Sequence, residues 1–207
     1  MLPFATACLF GGKRAPLVQD FNGGSGALLA PQLVTAPSGA QTLTIECVGA
    51  GGGHGATDDG STYTGWWGGA GGGYSRKVVL PQNVYVRPIN SAGGDSSWVK
   101  TSGGSIICRA FSGYTDGSQS LGGAGYSGDV NYEGGPGSLP GGGSGGPGGA
   151  GATPSSGWPS PQGEGGTGPV DPNGKFPGGG CAVWWDPGLG PVWGTNAAGL
   201  VRLTWTF

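Results

Sequence analysis

The sequence has few charged residues. Asp, Glu, Lys and Arg together supply 10% of its 207 residues, and the formal net charge is −2. Nine Lys plus Arg against eleven Asp plus Glu leave no basic excess of the kind that nucleic-acid binding uses, so no nucleic acid is expected as a partner. The chain also lacks any run of about 18 consecutive apolar residues, so membrane insertion is not expected.

Histidine is almost missing, since His54 is the single one. The sequence therefore offers few of the side chains that metal sites and His-based catalysis use. Asp58, Asp59 and Asp171 could offer oxygen ligands to calcium, but turn formation by Asp explains them without a metal. The scattered acidic residues do not indicate a paired-carboxylate enzyme. We predict that the protein is not an enzyme and holds no cofactor or metal, and that His54 is a wedge between glycine segments.

A secretory signal is also not expected, because the basic pair Lys13 and Arg14 follows the mildly apolar residues 1–11 instead of preceding them. Cysteine is too scarce and too widely spaced for a disulfide scaffold or a zinc site. We predict that the cysteines are small buried apolar residues. The four positions are Cys8, Cys47, Cys108 and Cys181.

Apolar residues with helical spacing are lacking, whereas short runs alternate with a period of two, as half-buried strands do. The clearest run is the closing strand, 199–207, where Val201, Leu203 and Trp205 share one face. A terminal strand this apolar is expected to pair within a sheet, because it would otherwise be an aggregation-prone edge. Further candidate strands are 42–48, 74–80, 84–89, 97–100, 105–111 and 181–185.

Glycine is abundant, with 52 residues beside 17 prolines. The glycine runs are either flexible linkers or polyproline-II helices that pack backbone to backbone and satisfy each other's N–H and C=O groups. The second interpretation is favoured because the runs recur between strands and because Gly134, Gly137, Gly143, Gly146 and Gly149 follow a three-residue spacing that Pro140 interrupts. The predicted fold is all-β or irregular. It has a small antiparallel sheet or sandwich base, a packed bundle of glycine-rich polyproline-II helices mainly at 122–180, and essentially no α-helix.

The order of these elements resembles a known family. Val-Gly-Ala-Gly-Gly-Gly at 48–53 is followed by Gly-Gly-Ala-Gly-Gly-Gly-Tyr-Ser-Arg-Lys at 68–77 and Val-Tyr-Val-Arg at 84–87. A long Gly/Pro tract and Ala-Gly-Leu-Val-Arg-Leu-Thr-Trp at 198–205 complete the order. Over about residues 40–207 this is similar to the glycine-rich domains of bacteriophage tail fibres and tip adhesins, although no long fibre shaft is present.

The resemblance implies a location on the surface of a virion. It divides the chain into a glycine-rich β/polyglycine-II domain at 40–207 and an N-terminal segment at 1–39 that attaches to other virion proteins. A homotrimer is one assembly that it allows, and a monomer is another. The implied function is receptor binding: loops on a rigid glycine scaffold recognise a bacterial surface glycan or an outer-membrane protein.

Aromatic and polar residues that interrupt the glycine runs are the candidate receptor contacts, because Trp and Tyr offer apolar area with a polar tip. Packing over glycine bundles is the competing role for the aromatics, and it is favoured for Trp184, Trp185, Trp193 and Trp205. A structural tail, spike or capsid component with no receptor of its own is the alternative function, and an ice-binding protein is a more distant one. The candidate contacts are Tyr63, Trp66, Trp67, Tyr126, Tyr132, Trp158 and Lys175.

Overall fold

A computed structural model describes residues 14–24, 30–53, 55–58, 63–90, 95–115, 120–137, 141–160 and 162–207, with the backbone alone at 55–58, 63–66, 115, 185, 190 and 191. Regular structure in these ranges is entirely β, with no α-helix, which confirms the predicted all-β class. The strands are β1 (Leu17–Asn22), β2 (Gln32–Val34), β3 (Thr42–Val48), β4 (Gly55–Asp58), β5 (Tyr63–Trp67), β6 (Tyr74–Val79), β7 (Val84–Arg87), β8 (Ser96–Thr101), β9 (Ile106–Phe111), β10 (Tyr114–Thr115), β11 (Ser120–Leu121), β12 (Gly125–Tyr126), β13 (Val130–Tyr132), β14 (Val183–Asp186), β15 (Gly190–Trp193) and β16 (Leu200–Thr206).

Two five-stranded antiparallel sheets pack face to face. The first sheet has the order β1-β16-β3-β6-β13 and the second has the order β12-β9-β8-β7-β2. Every second side chain of a strand points into the space between the two sheets, as the period of two predicts. The buried core between the sheets consists of Val34, Leu43, Ile45, Cys47, Val84, Val86, Val99, Ile107, Cys108, Ala110, Val201, Leu203 and Trp205.

The closing strand β16 lies between β1 and β3, which confirms that it is paired within a sheet. Trp205 is fully buried, so the packing role predicted for it is confirmed, and its Nε1 donates to Gln19 Oε1 at 3.0 Å. Strands β1 and β2 lie inside the segment 1–39 and form an edge of each sheet. Whether that segment attaches to other virion proteins stays a prediction, but part of it completes the sandwich.

Outside the two sheets, the glycine run 68–73 forms the centre of a hydrogen-bonded lattice, and we call it the central glycine segment. It exchanges backbone hydrogen bonds with six other stretches of the described chain, whereas a β-strand bonds to two neighbours. This arrangement satisfies the peptide groups of residues that lack side chains. The partners are residues 49–52, 111, 123, 135, 142–145 and 178–181.

The hydrogen bonds of the central glycine segment repeat every three residues. The N–H groups of Gly69 and Gly72 both donate into 178–181, each at 2.8 Å. Their carbonyls both accept from 142–145, at 2.8 and 2.9 Å. A polyproline-II helix has three residues per turn, whereas a strand repeats every two. The repeat of partners agrees with the polyproline-II geometry expected from the sequence, which itself stays a prediction.

Close approach of backbones explains why these positions are glycine. A Cβ built on Gly71 would lie 2.0 Å from the carbonyl oxygen of Gly143, and one on Gly180 would lie 1.9 Å from that of Gly69. Any side chain would therefore push neighbouring backbones apart and break the hydrogen bonds between them. The glycine runs in the lattice are packed elements of the fold, not linkers.

Trp158 joins the lattice to the first sheet. Its ring packs edge-on against Tyr74 with 6.0 Å between ring centroids, and the pair is buried with Val48 and Leu200. Its Nε1 donates to the carbonyl of Gly145 at 2.9 Å. A tryptophan is large enough to cover glycines that offer no side chains of their own.

The cysteines within the described ranges are buried thiols, as predicted, and they form no disulfide there. Cys47 and Cys108 face each other from the two sheets in the core, and burial raises the pKa of the Cys47 thiol. Cys181 lies in the glycine lattice, and Cys8 is outside the described residues. The described part of the chain contains no helix with the length and apolarity needed to cross a membrane.

A candidate ligand cleft on the first sheet

The outer face of the first sheet carries a row of alternating charges. Strand register places Asp20, Arg202, Glu46 and Arg76 side by side across β1, β16, β3 and β6. All four lie on the face opposite the core, since Leu43, Ile45 and Cys47 occupy the inward positions of β3. Residues directly opposite each other on neighbouring strands interact, so the register alone brings two acids and two bases together.

The two arginines of this row differ in their partners. Arg202 donates to Asp20 through Nε and Nη2, both at 2.7 Å, and its charge is therefore compensated. Arg76 is exposed and takes part in none of the ion pairs found among the described residues. Its guanidinium is a cation with donors to offer to a ligand.

Glu46 is held in position by Tyr74. The Tyr74 hydroxyl donates to Glu46 Oε1 at 2.6 Å, which is short, as bonds to a carboxylate are. Burial raises the pKa of Tyr74 far above its usual range, and the hydrogen bond to Glu46 adds to this increase. The tyrosine therefore stays a donor, and the Glu46 carboxylate keeps a fixed orientation on the sheet.

Glu46, Tyr74 and Arg76 line a cleft of about 430 Å³, a volume that small-molecule sites commonly have. Thr44 and Thr204 continue its polar lining, and Pro147 from the glycine lattice borders it. Tyr132 on β13 forms an aromatic wall, half-buried and stacked on Tyr74 with 6.3 Å between ring centroids. We call this the first-sheet cleft. It combines one cation, one anion, two threonine hydroxyl groups and the rings of two tyrosines.

A second depression, of about 470 Å³, shares Pro147 with the first-sheet cleft. Gly148, Ser156, Trp158 and Pro159 are among the residues that line it. Because Trp158 is only 9% exposed, it can offer a ligand little of its ring.

Among the predicted receptor contacts whose side chains the structure describes, Tyr132 and Trp158 lie at these depressions. Tyr126 is 60% exposed on β12, at the edge of the second sheet. Lys175 is held by Asp171 at 2.6 Å in an ion pair. Trp67 is half-buried at the end of β5.

Several other predicted roles fall beyond what the structure describes. The side chains of Tyr63, Trp66 and Trp185, together with His54 and Asp59, lie outside the described residues. Trp184 is half-buried, whereas Trp193 is 46% exposed, so packing accounts for only part of its surface. Within the described ranges no group of three His, Cys, Asp or Glu residues is placed to hold a metal ion.

Sequence reasoning missed Glu46, Arg76, Thr44 and Thr204. Their alternation with apolar residues marks them as the outer faces of strands, but a polar outer face is the ordinary condition of an antiparallel sheet. Only the pairing of β3 with β16 and β6 brings the four together. The one available signal in the sequence was that the polar faces of these strands carry both acidic and basic residues.

The raised pKa of Tyr74 predicts a loss of stability at alkaline pH. An unfolded tyrosine ionises near its ordinary pKa of 10, whereas the folded protein keeps Tyr74 protonated. The contribution of protonated Tyr74 to the free energy of unfolding is therefore fully present below pH 10. It falls by about 1.4 kcal/mol for each pH unit above 10. In urea unfolding between pH 8 and pH 11, Tyr74→Phe should flatten the alkaline fall relative to wild type. Tyr126→Phe is the control, and equal slopes for all three proteins would contradict the prediction.

No protein-family model matches the chain, and no curated protein matches its sequence, so the function is inferred from the geometry of its own residues.

Proposed function

We propose that this chain is a virion receptor-binding protein that holds a bacterial surface glycan in the first-sheet cleft, without covalent chemistry. The observation that carries the proposal is the exposed Arg76 guanidinium, which has no carboxylate partner among the described residues and stands beside Glu46 and Tyr132. A sugar ring presents hydroxyl groups at its edge and apolar C–H groups on its faces. The cleft offers a partner to each.

The polar groups match the hydroxyl edge of a sugar. Arg76 can only donate, the Glu46 carboxylate can only accept, and the hydroxyls of Thr44 and Thr204 can do both. Tyr132 supplies the apolar face against which a sugar ring packs, with its own hydroxyl at the rim. A glycan is favoured over an outer-membrane protein as the receptor because the polar groups lie inside a recess of saccharide size.

A rigid scaffold supports this assignment. Glu46 is positioned by Tyr74, and Tyr74 is clamped between Tyr132 and Trp158, so little side-chain freedom is lost when a ligand binds. The glycine lattice borders the cleft through Pro147. The attachment of residues 1–39 to other virion proteins belongs to the same proposal. Several copies on one particle would allow each site to be weak while the particle adheres firmly.

Binding of the purified protein to a panel of bacterial strains and to their extracted surface polysaccharides tests the proposal. Arg76→Ala should weaken binding about tenfold or more, because one charge-assisted hydrogen bond is worth about 1.5–3 kcal/mol. Tyr132→Ala should weaken it as well. Tyr114→Ala, an exposed tyrosine of β10, is the matched control and should bind as wild type.

If Arg76→Ala and Tyr132→Ala both bound as strongly as wild type, the assignment of the site would be overturned.

A structural role is the second candidate function, because the lattice around the central glycine segment is suited to a rigid spacer. In that case no strain or polysaccharide would bind, host adsorption of particles carrying Arg76→Ala would be normal, and particles lacking the protein would fail to assemble.

A further inference from the structure

The outer face of the second sheet carries a different set of residues from the first-sheet cleft. Register aligns Arg87, Trp98, Arg109 and Tyr126 in one row across β7, β8, β9 and β12. Tyr85 and Lys100 are paired in the adjacent row. Their strand neighbours Val86, Val99 and Cys108 point into the core, so this row points away from it. We call these six residues the cation–aromatic face.

Aromatic rings hold the cations of this face in place. Lys100 Nζ lies 4.3 Å from the centroid of the Trp98 ring, and the Arg87 guanidinium lies 5.3 Å from it. The Arg109 guanidinium lies 4.1 Å from the ring of Phe111. Each cation is thus attracted to a ring and its stem packs on apolar surface. Long basic side chains held in this way lose less conformational freedom when an anion binds.

The charges of the face are not balanced internally. Asp95 accepts two hydrogen bonds from Arg87 Nη2, at 2.6 and 2.7 Å, and compensates that cation. Lys100 and Arg109 take part in none of the ion pairs among the described residues. Arg109 Nε donates to Ser96 Oγ at 2.8 Å, which orients its guanidinium. A chain with a net charge of −2 therefore collects on one sheet face two cations that have no ion-pair partner among the described residues.

Exposed tyrosines flank these cations. Tyr126 is 60% exposed at the β12 edge, and Tyr85 is 36% exposed on β7 beside Lys100. Rings at both sides of a cationic strip suit a chain of sugar rings that carries negative charges. Nucleic acid fits less well, because two free cations neutralise too few phosphates to hold it.

We propose that the cation–aromatic face is a second binding site, for an acidic polysaccharide whose carboxylates pair with Lys100 and Arg109 while its sugar rings pack on Tyr85 and Tyr126. The two outer faces of a sandwich point in opposite directions, so this site is separate from the first-sheet cleft. One copy of the protein could hold two glycan segments at once. This second site uses none of the residues that line the first-sheet cleft.

Titration of the full chain with polygalacturonate, a polymer of uronic acids, tests the site, with neutral dextran as the comparison. Wild type should bind polygalacturonate and not dextran, and binding should weaken as salt is added. The double variant Lys100→Gln/Arg109→Gln should bind at least about tenfold more weakly. Its thermal midpoint should stay close to wild type, because neither side chain lies in the buried core.

Two controls separate this site from general charge effects and from the first-sheet cleft. Lys77→Gln/Lys175→Gln removes the same charge from two ion-paired positions elsewhere and should leave polygalacturonate binding intact. Arg76→Ala should also leave it intact, even if that variant no longer binds cells. Equal weakening by both double variants, dextran binding as strong as that of polygalacturonate, or no binding of polygalacturonate by wild type would overturn the proposal.

Discussion

Gly143→Ala is expected to disrupt the glycine lattice and to lower the free energy of unfolding by about 3 kcal/mol or more. A Cβ at this position would lie 2.0 Å from the backbone carbonyl oxygen of Ser155, which cannot move aside as a flexible side chain can. Overpacking alone costs about 1–3 kcal/mol. Separating the backbones would also break the bonds that Gly143 makes to Ala152 and Gly135, each at 2.7 Å and worth about 1 kcal/mol. Gly143→Val should be more severe still. Urea and thermal unfolding measure the effect.

Glycines at open positions provide the matched controls. Within the run 49–53, a Cβ on Gly51 would lie 2.1 Å from the Gly179 carbonyl oxygen, whereas one on Gly53 would have no atom within 4 Å. Gly51→Ala should therefore behave like Gly143→Ala, and Gly53→Ala should unfold near the wild-type midpoint. If Gly143→Ala, Gly51→Ala and Gly53→Ala all unfolded at the wild-type midpoint, the runs would be linkers and the lattice interpretation would be wrong.

Trp158→Ala is expected to cost about 3–5 kcal/mol, as truncation of a buried tryptophan does. The ring packs on Tyr74 and its Nε1 satisfies the carbonyl of Gly145, so the variant would leave both a cavity and an unsatisfied acceptor. The glycine lattice would lose the contact that Trp158 makes with Tyr74 of the first sheet. Chemical denaturation followed by far-UV circular dichroism would detect the loss without relying on tryptophan fluorescence.

Trp193→Ala is the control for this prediction, because Trp193 is 46% exposed and its truncation should cost much less. Trp158→Phe should retain part of the packing and lose the hydrogen bond, with an intermediate midpoint. If Trp158→Ala unfolded like wild type but bound polysaccharide poorly, Trp158 would be a ligand contact and not a packing residue.

Strands with strict alternation were predictable from sequence. Residues 42–48 and 199–207 alternate apolar with polar side chains, and both are strands of the first sheet, with the apolar positions buried. Strand β2 was not predicted, because three residues are too few to show a period. Strand β1 was also missed, since its partner β16 lies at the opposite end of the chain and its own residues are mostly exposed.

The candidate site was less predictable than the fold. Tyr132 was predicted as a receptor contact and lines the first-sheet cleft, but Arg76 and Glu46 were not, because their neighbours across the sheet depend on register. The burial of Trp158 was also not predictable from the sequence. It sits among polar and turn-forming residues, as an exposed loop residue would, yet it is buried in a cluster with Tyr74 and Leu200 from distant strands.

The sequence by itself determined that this protein is all-β, that it has a single histidine, and that its glycines could pack backbone to backbone. These properties follow from local period, from residue types and from a missing Cβ. Only the tertiary structure decided that residues 68–73 stand at the centre of the lattice with six neighbours. It also decided which charged side chains share a sheet face, because those relations depend on hydrogen bonds between residues far apart in the chain.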